Sequence, residues 1–431
     1  MSAPDDIDVT RPQFVGAKVI RREDPRLLSG AGMYVADIKR HGMLHMAFRR
    51  SDYAHAAIIS IDVEQAKAVD GVVAVYTGDD IAAMAKPYQA TSRMKNYQAT
   101  FIPPLAVRKV RYVGEAVVAV VAKSRYVAED ALSMINIDYK PLVVMVDPEK
   151  SLTSDAQKIH DDLESNILAE REFTRGEVDQ AFEEATTTVG GKFHFTRTTP
   201  VTIEARAAVA EYDTRARSLT LHCTTQIPGI LRDKLSEILD LAGPRIRVVA
   251  PDVGGGFGGK TSLYSEEIVA CAVSRSLGKP VKWVSDRMED LMTTGHAFDE
   301  VVYADLALAA DGSILGLKTD VIGDVGAYSI YPWTATIEPV QVVSFMPGPY
   351  RIENYSARVR SVATNKTLTG AYRGVGRPIS VFVMDRLLDM AARKIGMDPV
   401  EIRRRNLVND DEFPYKAASG LVWDKSAFQA C

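Results

Sequence analysis

Glycine is concentrated in one short stretch that could bring backbone N–H groups against an anionic or bulky group. Residues 251–261 read Pro-Asp-Val-Gly-Gly-Gly-Phe-Gly-Gly-Lys-Thr, and five of the six residues between Val253 and Lys260 are glycine. A residue without a Cβ atom adopts positive φ angles easily and lets the backbone approach a ligand. The run lies between a predicted strand and a predicted helix, whose first N–H groups favour negative charge. The stretch therefore predicts a binding loop.

The same residues allow two other interpretations. Residues 254–261 fit the phosphate-loop pattern GxxxxGK[ST], in which Lys260 would contact phosphates and Thr261 a magnesium ion. Asp286 could then hold the metal, although Phe257 inside the loop and polar residues before Asp286 weaken this interpretation. A turn that only relieves crowding would need the same glycines. Nucleotide hydrolysis is therefore an alternative function.

Side chains that bind transition metals are few and scattered. The three cysteines, Cys223, Cys271 and Cys431, form no CxxC pair, and the seven histidines form no HExxH pair. An iron–sulfur cluster or a zinc site needs several such ligands at short spacing. We therefore expect no metal held directly by side chains of this chain.

Length and charge exclude further classes of protein. The chain has 431 residues, 46 % of them hydrophobic, which is enough for more than one folded domain. Lys and Arg number 52 against 56 Asp and Glu, a balance that argues against a nucleic-acid partner. No apolar run approaches the roughly 20 residues that span a bilayer, and Glu23 and Asp24 interrupt any twin-arginine signal after 21–22. We expect a cytoplasmic protein without a membrane partner.

Hydrophobic periodicity divides the chain into two parts, which predicts an α+β (mixed α/β) fold. Short β-rich and helical runs alternate up to residue 146, and no period is visible over 147–166. Beyond that, a strand at 247–250 and a helix at 261–277 flank the glycine run, and a long helix at 381–395 stops at Gly396. The other predicted strands are 43–48, 57–63, 72–76, 116–121, 191–198, 207–212, 218–225, 281–284, 301–308, 314–322 and 357–362, and the other predicted helices are 63–68, 127–135 and 229–241.

Seven motifs together resemble the large, molybdenum-binding subunits of the xanthine dehydrogenase, aldehyde oxidase and carbon monoxide dehydrogenase family. They occur in the family's order and spacing, at 22–30, 50–56, 110–116, 224–226, 253–260, 371–378 and 396–407. The resemblance implies an a/b hammerhead-like domain followed by the first molybdenum-cofactor-binding domain. We place a tail at 1–25, the hammerhead domain at 26–146, a linker at 147–170 and the first molybdopterin-binding domain at 171–431.

The resemblance also implies a molybdenum–pterin cofactor, as molybdopterin cytosine dinucleotide, whose metal needs no protein side chain. The positions that match the family's cofactor contacts are Gln226, Gly255, Gly256, Phe257, Gly258 and Arg373. The positions that match its substrate pocket are Thr261, Gln341 and Val375. Without the resemblance, Gln226 would be a capping amide and Arg373 a surface or ion-paired arginine.

The family reaction hydroxylates a carbon with oxygen from water, and its electrons leave through iron–sulfur clusters and flavin. Because the cysteines here are isolated, the resemblance implies [2Fe-2S] and FAD on separate partner subunits. Gly374 replaces the copper-bridging cysteine of carbon monoxide dehydrogenases. Val375 and Thr261 replace the aromatic residue and the glutamate of purine enzymes. The favoured small organic substrate is therefore an aldehyde or an N-heteroaromatic compound.

The family's second cofactor-binding domain, which supplies the glutamate that acts as general base, does not follow before Cys431. We expect either a fragment or a naturally split subunit whose second polypeptide carries that domain. No catalytic residue is then assigned in this chain, and the chain alone should be inactive. A non-catalytic assembly fragment is a further alternative.

Overall fold

The computed structural model describes residues 17–430. Residues 1–16 of the predicted tail, and Cys431, lie outside this range. The described chain mixes strands and helices, as the periodicity predicts, in a seven-stranded, a five-stranded, a three-stranded and a two-stranded sheet. No helix in this range is long and apolar enough to cross a bilayer.

The strands are, in chain order, β1 (Leu44–Arg50), β2 (Ala56–Asp62), β3 (Val72–Tyr76), β4 (Lys109–Val110), β5 (Ala116–Ala122), β6 (Asn136–Pro141), β7 (Ile167–Arg175), β8 (Thr187–Phe195), β9 (Ala207–Asp213), β10 (Ser218–Cys223), β11 (Ile246–Val249), β12 (Val281–Val284), β13 (Glu300–Leu308), β14 (Ile314–Gly326), β15 (Asn354–Ala363), β16 (Tyr415–Lys416) and β17 (Val422–Trp423). The helices are α1 (Asp24–Leu28), α2 (Glu64–Lys67), α3 (Gly78–Ala82), α4 (Arg125–Leu132), α5 (Pro148–Ser151), α6 (Val178–Glu183), α7 (Pro228–Leu239), α8 (Ser265–Leu277), α9 (Arg287–Thr293), α10 (Ile337–Phe345), α11 (Arg377–Ile395) and α12 (Pro399–Asn406).

The seven-stranded sheet joins the two halves of the chain. Its order is β11-β10-β9-β12-β1-β5-β3, so strands from before and after residue 146 lie side by side. β1 pairs with β12 in parallel, with Leu44 opposite Val281. The core strand β5, seven residues of alanine and valine, is buried throughout. Helix α8 packs on β9 and β12 and buries nine consecutive residues, Glu266–Ser274. This sheet and its helices hold the strand that precedes the glycine run.

The five-stranded sheet holds the second part of the site. Its order is β7-β15-β14-β13-β8, with β7 at one edge. Helix α10 packs on β14 and β15, and α11 packs on β8, β13 and α10. Helix α11 ends at Gly396 in the left-handed conformation (φ +69°), as predicted. The segment that carries Arg373 leads directly into α11.

Most predicted elements are confirmed, and the differences have local causes. Helix α8 begins at Ser265, four residues later than predicted, because the chain is still turning at 258–261 and Tyr264 closes the turn by donating from its hydroxyl to the Gly259 carbonyl at 2.6 Å. The sequence periodicity does not predict a set of short or edge elements, or two longer helices: α1, α3, α6, α9, α10, α12, β4, β6, β7, β16 and β17. The stretch placed as a linker, 147–170, contains α5 and the start of β7.

Candidate cofactor site

The glycine-rich loop after β11 is held in an unusual backbone conformation. Gly255 and Gly258 have φ angles of +96° and +105°, and Phe257 between them has φ +50°. A non-glycine residue in this region is disfavoured by about 1–2 kcal/mol, so its surroundings must impose the conformation. The Phe257 side chain is 49 % exposed although it is large and apolar. The loop therefore presents an aromatic ring on the surface.

Gln226 lies across this loop. The Gly258 backbone N–H donates to the side-chain oxygen Oε1 of Gln226 at 3.1 Å. The backbone N–H of Gln226 donates to the Lys260 carbonyl at 2.9 Å. A Cβ atom at Gly256 would stand 2.4 Å from Gln226 Oε1, so any side chain there would displace the amide. Among the described residues, none accepts a hydrogen bond from the Gln226 amide nitrogen. The amide thus has a free donor on the exposed side of the loop.

The loop that carries Arg373 touches the glycine-rich loop directly. The Arg373 N–H donates to the Phe257 carbonyl at 2.9 Å, and a Cβ atom at Gly258 would stand 2.3 Å from the Ala371 carbonyl oxygen. The Arg373 side chain is exposed and has no ion-pair partner in the described part of the chain. The structure therefore brings all six predicted cofactor-binding residues into one place, which sequence spacing alone does not establish.

The three predicted substrate-pocket residues border the same two loops. Thr261 donates from Oγ1 to the Gly258 carbonyl at 2.5 Å. Val375, with φ +51°, belongs to the Arg373 loop. Gln341 on α10 accepts from Arg377 at 2.9 Å, and the Gly376 backbone packs closely against α10 beside it. All three are therefore within the neighbourhood that the resemblance implies.

Two further residues of this neighbourhood have no signal in the sequence. Trp333 donates from Nε1 to both Thr261 O (2.8 Å) and Thr261 Oγ1 (2.9 Å), which fixes the plane of its indole beside a predicted pocket residue. Glu204 accepts from the Gly254 N–H at 2.7 Å and anchors the start of the glycine loop. Neither lies at a motif spacing from its partner, so only the fold reveals them.

The phosphate-loop interpretation is wrong because Lys260 points into the protein. Its side chain is 1 % exposed, and its Nζ donates to Glu204 Oε2 at 3.0 Å and to Glu204 O at 2.8 Å. Burial lowers the pKa of Lys260 and the Glu204 charge opposes this effect. Asp286, the proposed metal ligand, caps α9 instead by accepting from Glu289 N–H at 2.7 Å. The lysine that would contact the phosphates is therefore not available to a nucleotide.

Replacing Lys260 should therefore affect stability and not nucleotide binding. We expect Lys260→Ala to lower the free energy of unfolding by about 2 kcal/mol or more, because it leaves Glu204 without its cation. The exposed Lys279 serves as the matched control and should cost less than about 0.5 kcal/mol as alanine. Urea unfolding measures both variants. Magnesium ATP should not change the melting temperature of the native chain, and a saturable increase would restore the phosphate-loop interpretation.

The residues present fit a molybdenum–pterin group. The Gln226 amide nitrogen, the Arg373 guanidinium and the Phe257 ring are exposed around two glycine-lined bends, which suits a polar, anionic and partly flat ligand. Among residues 17–430, no group of three or more His, Cys, Asp or Glu side chains could hold a metal ion. A metal brought by a pterin would not need one.

Two family profiles match most of the chain. Residues 29–143 match the aldehyde oxidase and xanthine dehydrogenase a/b hammerhead domain, and residues 159–407 match the molybdopterin cofactor-binding domain. The predicted fold class and order of domains are thereby confirmed. The domain boundaries that we placed from the sequence stay a prediction.

Individual relatives agree with the profiles. The chain is 37 % identical to the nicotine 6-hydroxylase large subunit of Paenarthrobacter nicotinovorans, over 97 % of this chain and 51 % of that one. It superposes on quinoline 2-oxidoreductase from Pseudomonas putida 86 with a TM-score of 0.94 and 38 % identity, over 96 % of this chain and 53 % of that one. It thus spans about half the length of these two relatives.

A third relative has a comparable length. The chain is 30 % identical to the nicotinate dehydrogenase large molybdopterin subunit of Eubacterium barkeri, over 96 % of this chain and 93 % of that one. The molybdopterin profile alone covers more than half of the sequence. The chain therefore belongs to the molybdenum-cofactor-binding subunits of the xanthine dehydrogenase, aldehyde oxidase and carbon monoxide dehydrogenase family.

Proposed function

We propose that this chain forms one half of the active centre of a molybdenum hydroxylase that oxidises an aldehyde or an N-heteroaromatic carbon with water as the oxygen source. The observation that carries the proposal is the direct contact between the two loops, through Arg373 N–H and Phe257 O at 2.9 Å. This contact places a free amide donor, a free guanidinium and an exposed ring around a single surface.

Each residue at this surface has a role in the proposal. Gln226 donates from its amide to a polar atom of the cofactor, and Phe257 limits the space on one side of it. Gly255, Gly256 and Gly258 allow close approach of the backbone, and Arg373 supplies positive charge at the other bend. When bound, the molybdenum–pterin group supplies the two-electron oxidation and the activation of water.

The substrate pocket is proposed to lie beside Thr261, Gln341 and Val375. The indole of Trp333 is fixed against Thr261 and offers a flat wall on which an aromatic ring can stack. The small Val375 leaves room that a bulky aromatic residue would fill. The names of the nicotine and quinoline enzymes among the relatives support an N-heteroaromatic substrate within the proposed class.

Partners are needed to complete the proposed enzyme. We infer that the remaining cofactor domain and the glutamate base lie either in the rest of a longer subunit, of which this chain is a fragment, or on a second polypeptide. The relative of similar length from Eubacterium barkeri supports the second arrangement. Iron–sulfur and FAD subunits would take the electrons, since Cys223 and Cys271 are both buried and the cysteines are isolated in sequence. The cytosine dinucleotide form of the cofactor and a cytoplasmic location are further parts of the proposal.

Purification of the chain with whatever subunits accompany it tests the proposal. We expect molybdenum, and cytidine monophosphate after acid hydrolysis, in the complex, and dye reduction with an N-heteroaromatic or an aldehyde that places ¹⁸O from labelled water in the product. Gln226→Ala should lower kcat/KM by about tenfold or more, as loss of one positioned donor does. The same assays on the separated chain should give no turnover.

The outcomes separate the alternatives. Turnover by the separated chain would contradict the need for the remaining cofactor domain. A complex that contains no molybdenum, from cells supplied with molybdate, would favour the assembly-fragment interpretation.

A further inference from the structure

Two arginines of the edge strand β7 lie on the side of the sheet that carries the core, are solvent-exposed, and have no counter-charge within residues 17–430. Arg171, Phe173 and Arg175 alternate along β7 and pair with Val359, Ala357 and Tyr355 of β15, all of which are buried in the core. Paired residues share one face of a sheet. The Phe173 ring packs edge-on against Tyr355, with centroids 5.3 Å apart. Both arginines therefore lie on the core-facing side of the strand and flank Phe173.

The neighbouring arginines on β15 form ion pairs, in contrast to the two arginines of β7. Arg358 contacts Glu170 at 2.6 Å and Glu172 at 2.8 Å, and Arg360 contacts Asp320 at 2.6 Å. Within residues 17–430, no carboxylate lies within ion-pair distance of Arg171 or Arg175. The acidic residues of β7 are thus engaged by Arg358 on the opposite face.

A small cavity lies between these arginines and helix α10. Its volume is about 70 Å³, and its polar lining consists of Arg171, Arg175, Ser344 and Ser419, with no acidic residue. Ser419 Oγ is buried and has no hydrogen-bond partner. A buried hydroxyl without a hydrogen-bond partner is uncommon in native structures, which indicates that a bound group supplies the partner. The cavity exceeds the roughly 30 Å³ that one water takes up, so a group of a few heavy atoms fits.

We propose that this cavity, outside the cofactor site, binds the phosphate dianion, either free or as a phosphate monoester. Two guanidinium groups present paired N–H donors that match a tetrahedral oxyanion, and the Ser419 hydroxyl supplies a further donor. The cavity opens to solvent beside the exposed arginines, so the anion exchanges. This inference does not depend on the proposed oxidoreductase function, because none of its residues belongs to the two loops.

Isothermal titration of the purified full chain with inorganic phosphate, in a chloride buffer of fixed ionic strength, tests the inference. We expect saturable binding of one phosphate per chain and competition by sulfate. Arg171→Gln/Arg175→Gln should weaken binding by about tenfold or more, and Ser419→Ala should weaken it by a smaller factor. The exposed Arg393 of α11, which has no ion pair in the described chain, is the matched control, and Arg393→Gln should leave the affinity within twofold.

A second titration, with a nucleoside monophosphate, identifies the source of the phosphate. Tighter binding than inorganic phosphate assigns the site to an ester, and weaker binding assigns it to the free anion. Equal phosphate affinity in the double variant and the native chain, or no saturation at millimolar phosphate, would overturn the inference. The arginines would then serve only to protect the β7 edge from pairing with another chain.

Discussion

Gly258→Ala is expected to separate the two loops and abolish cofactor retention. Gly258 has φ +105°, and an added Cβ atom would stand 2.3 Å from the Ala371 carbonyl oxygen and 3.0 Å from the Tyr372 Cα. Both obstacles are backbone atoms, so the loops must move apart and break the Arg373–Phe257 hydrogen bond. We expect the free energy of unfolding to fall by about 3 kcal/mol or more, and the molybdenum content of the purified complex to fall at least about tenfold.

Gly229→Ala provides the control for this variant. Gly229 lies in the first turn of α7, and no atom lies within 4 Å of the position that its Cβ would take. We expect unchanged or slightly higher stability, because alanine favours helix and restricts the unfolded chain. Urea unfolding compares the stability of the two variants, and metal analysis compares the molybdenum content of their complexes. If Gly258→Ala matches Gly229→Ala in both measurements, the contact between the loops is not needed to hold the cofactor.

The sequence predicts the parts of this site better than their connections. Gly254 to Gly259 form a dense cluster, and such clustering is a local signal that one chain segment carries by itself. The proximity of Arg373 to Phe257 joins residues 116 positions apart, and it became an expectation only through the family resemblance. The role of Lys260 was ambiguous because its direction depends on Glu204, 56 residues earlier. Local patterns thus predicted the loop but not what its lysine faces.

In the fold, too, the sequence predicts single elements but not the pairing of elements that are far apart in the chain. The buried strand β5 and the helix α11 with its glycine stop follow from composition and periodicity alone. The sequence does not predict helix α10, because apolar residues such as Val340 and Val343 show little contrast between the faces of a helix that is mostly enclosed. The joining of β1 to β12 in one sheet pairs residues more than 230 positions apart, and no period in either strand indicates it.

Replacing either of two buried glutamates with glutamine is expected to change the free energy of unfolding, in opposite directions at the two positions. Glu338 on α10 is 3 % exposed; its Oε2 accepts from the Phe298 N–H at 2.8 Å, and its Oε1 has no partner. Burial raises the pKa of Glu338 to about 8. Glu266 on α8 is equally buried but contacts Arg50 at 2.6 Å and Arg206 at 2.9 Å. Burial alone would raise the pKa of Glu266, yet the two arginines lower it to about 2.

The opposite pKa directions give opposite effects on stability. Between the ordinary pKa of 4.5 and about 8, Glu338 ionises only in the unfolded chain, so the native chain loses about 1.4 kcal/mol per pH unit from this group. Above about 8 this loss no longer grows. The stabilisation from Glu266 is complete above pH 4.5 and is lost as the pH falls towards about 2. At neutral pH only Glu266 therefore contributes stability through its charge.

Glu338→Gln should stabilise the chain and Glu266→Gln should destabilise it. The glutamine at 338 can still accept from Phe298, and the expected gain in unfolding free energy is larger at pH 8 than at pH 5 by at least about 1 kcal/mol. The glutamine at 266 leaves Arg206 without its carboxylate partner and Arg50 with Glu289 alone, and it should cost about 3–5 kcal/mol at either pH. Urea unfolding of the three proteins at both pH values measures these differences.

A Glu338→Gln variant that loses stability equally at pH 5 and pH 8 would show that this carboxyl is ionised in the folded chain. Its buried Oε1 would then need a cationic partner, and since none of the described residues supplies a hydrogen bond to it, the partner would have to be a bound cation or another subunit.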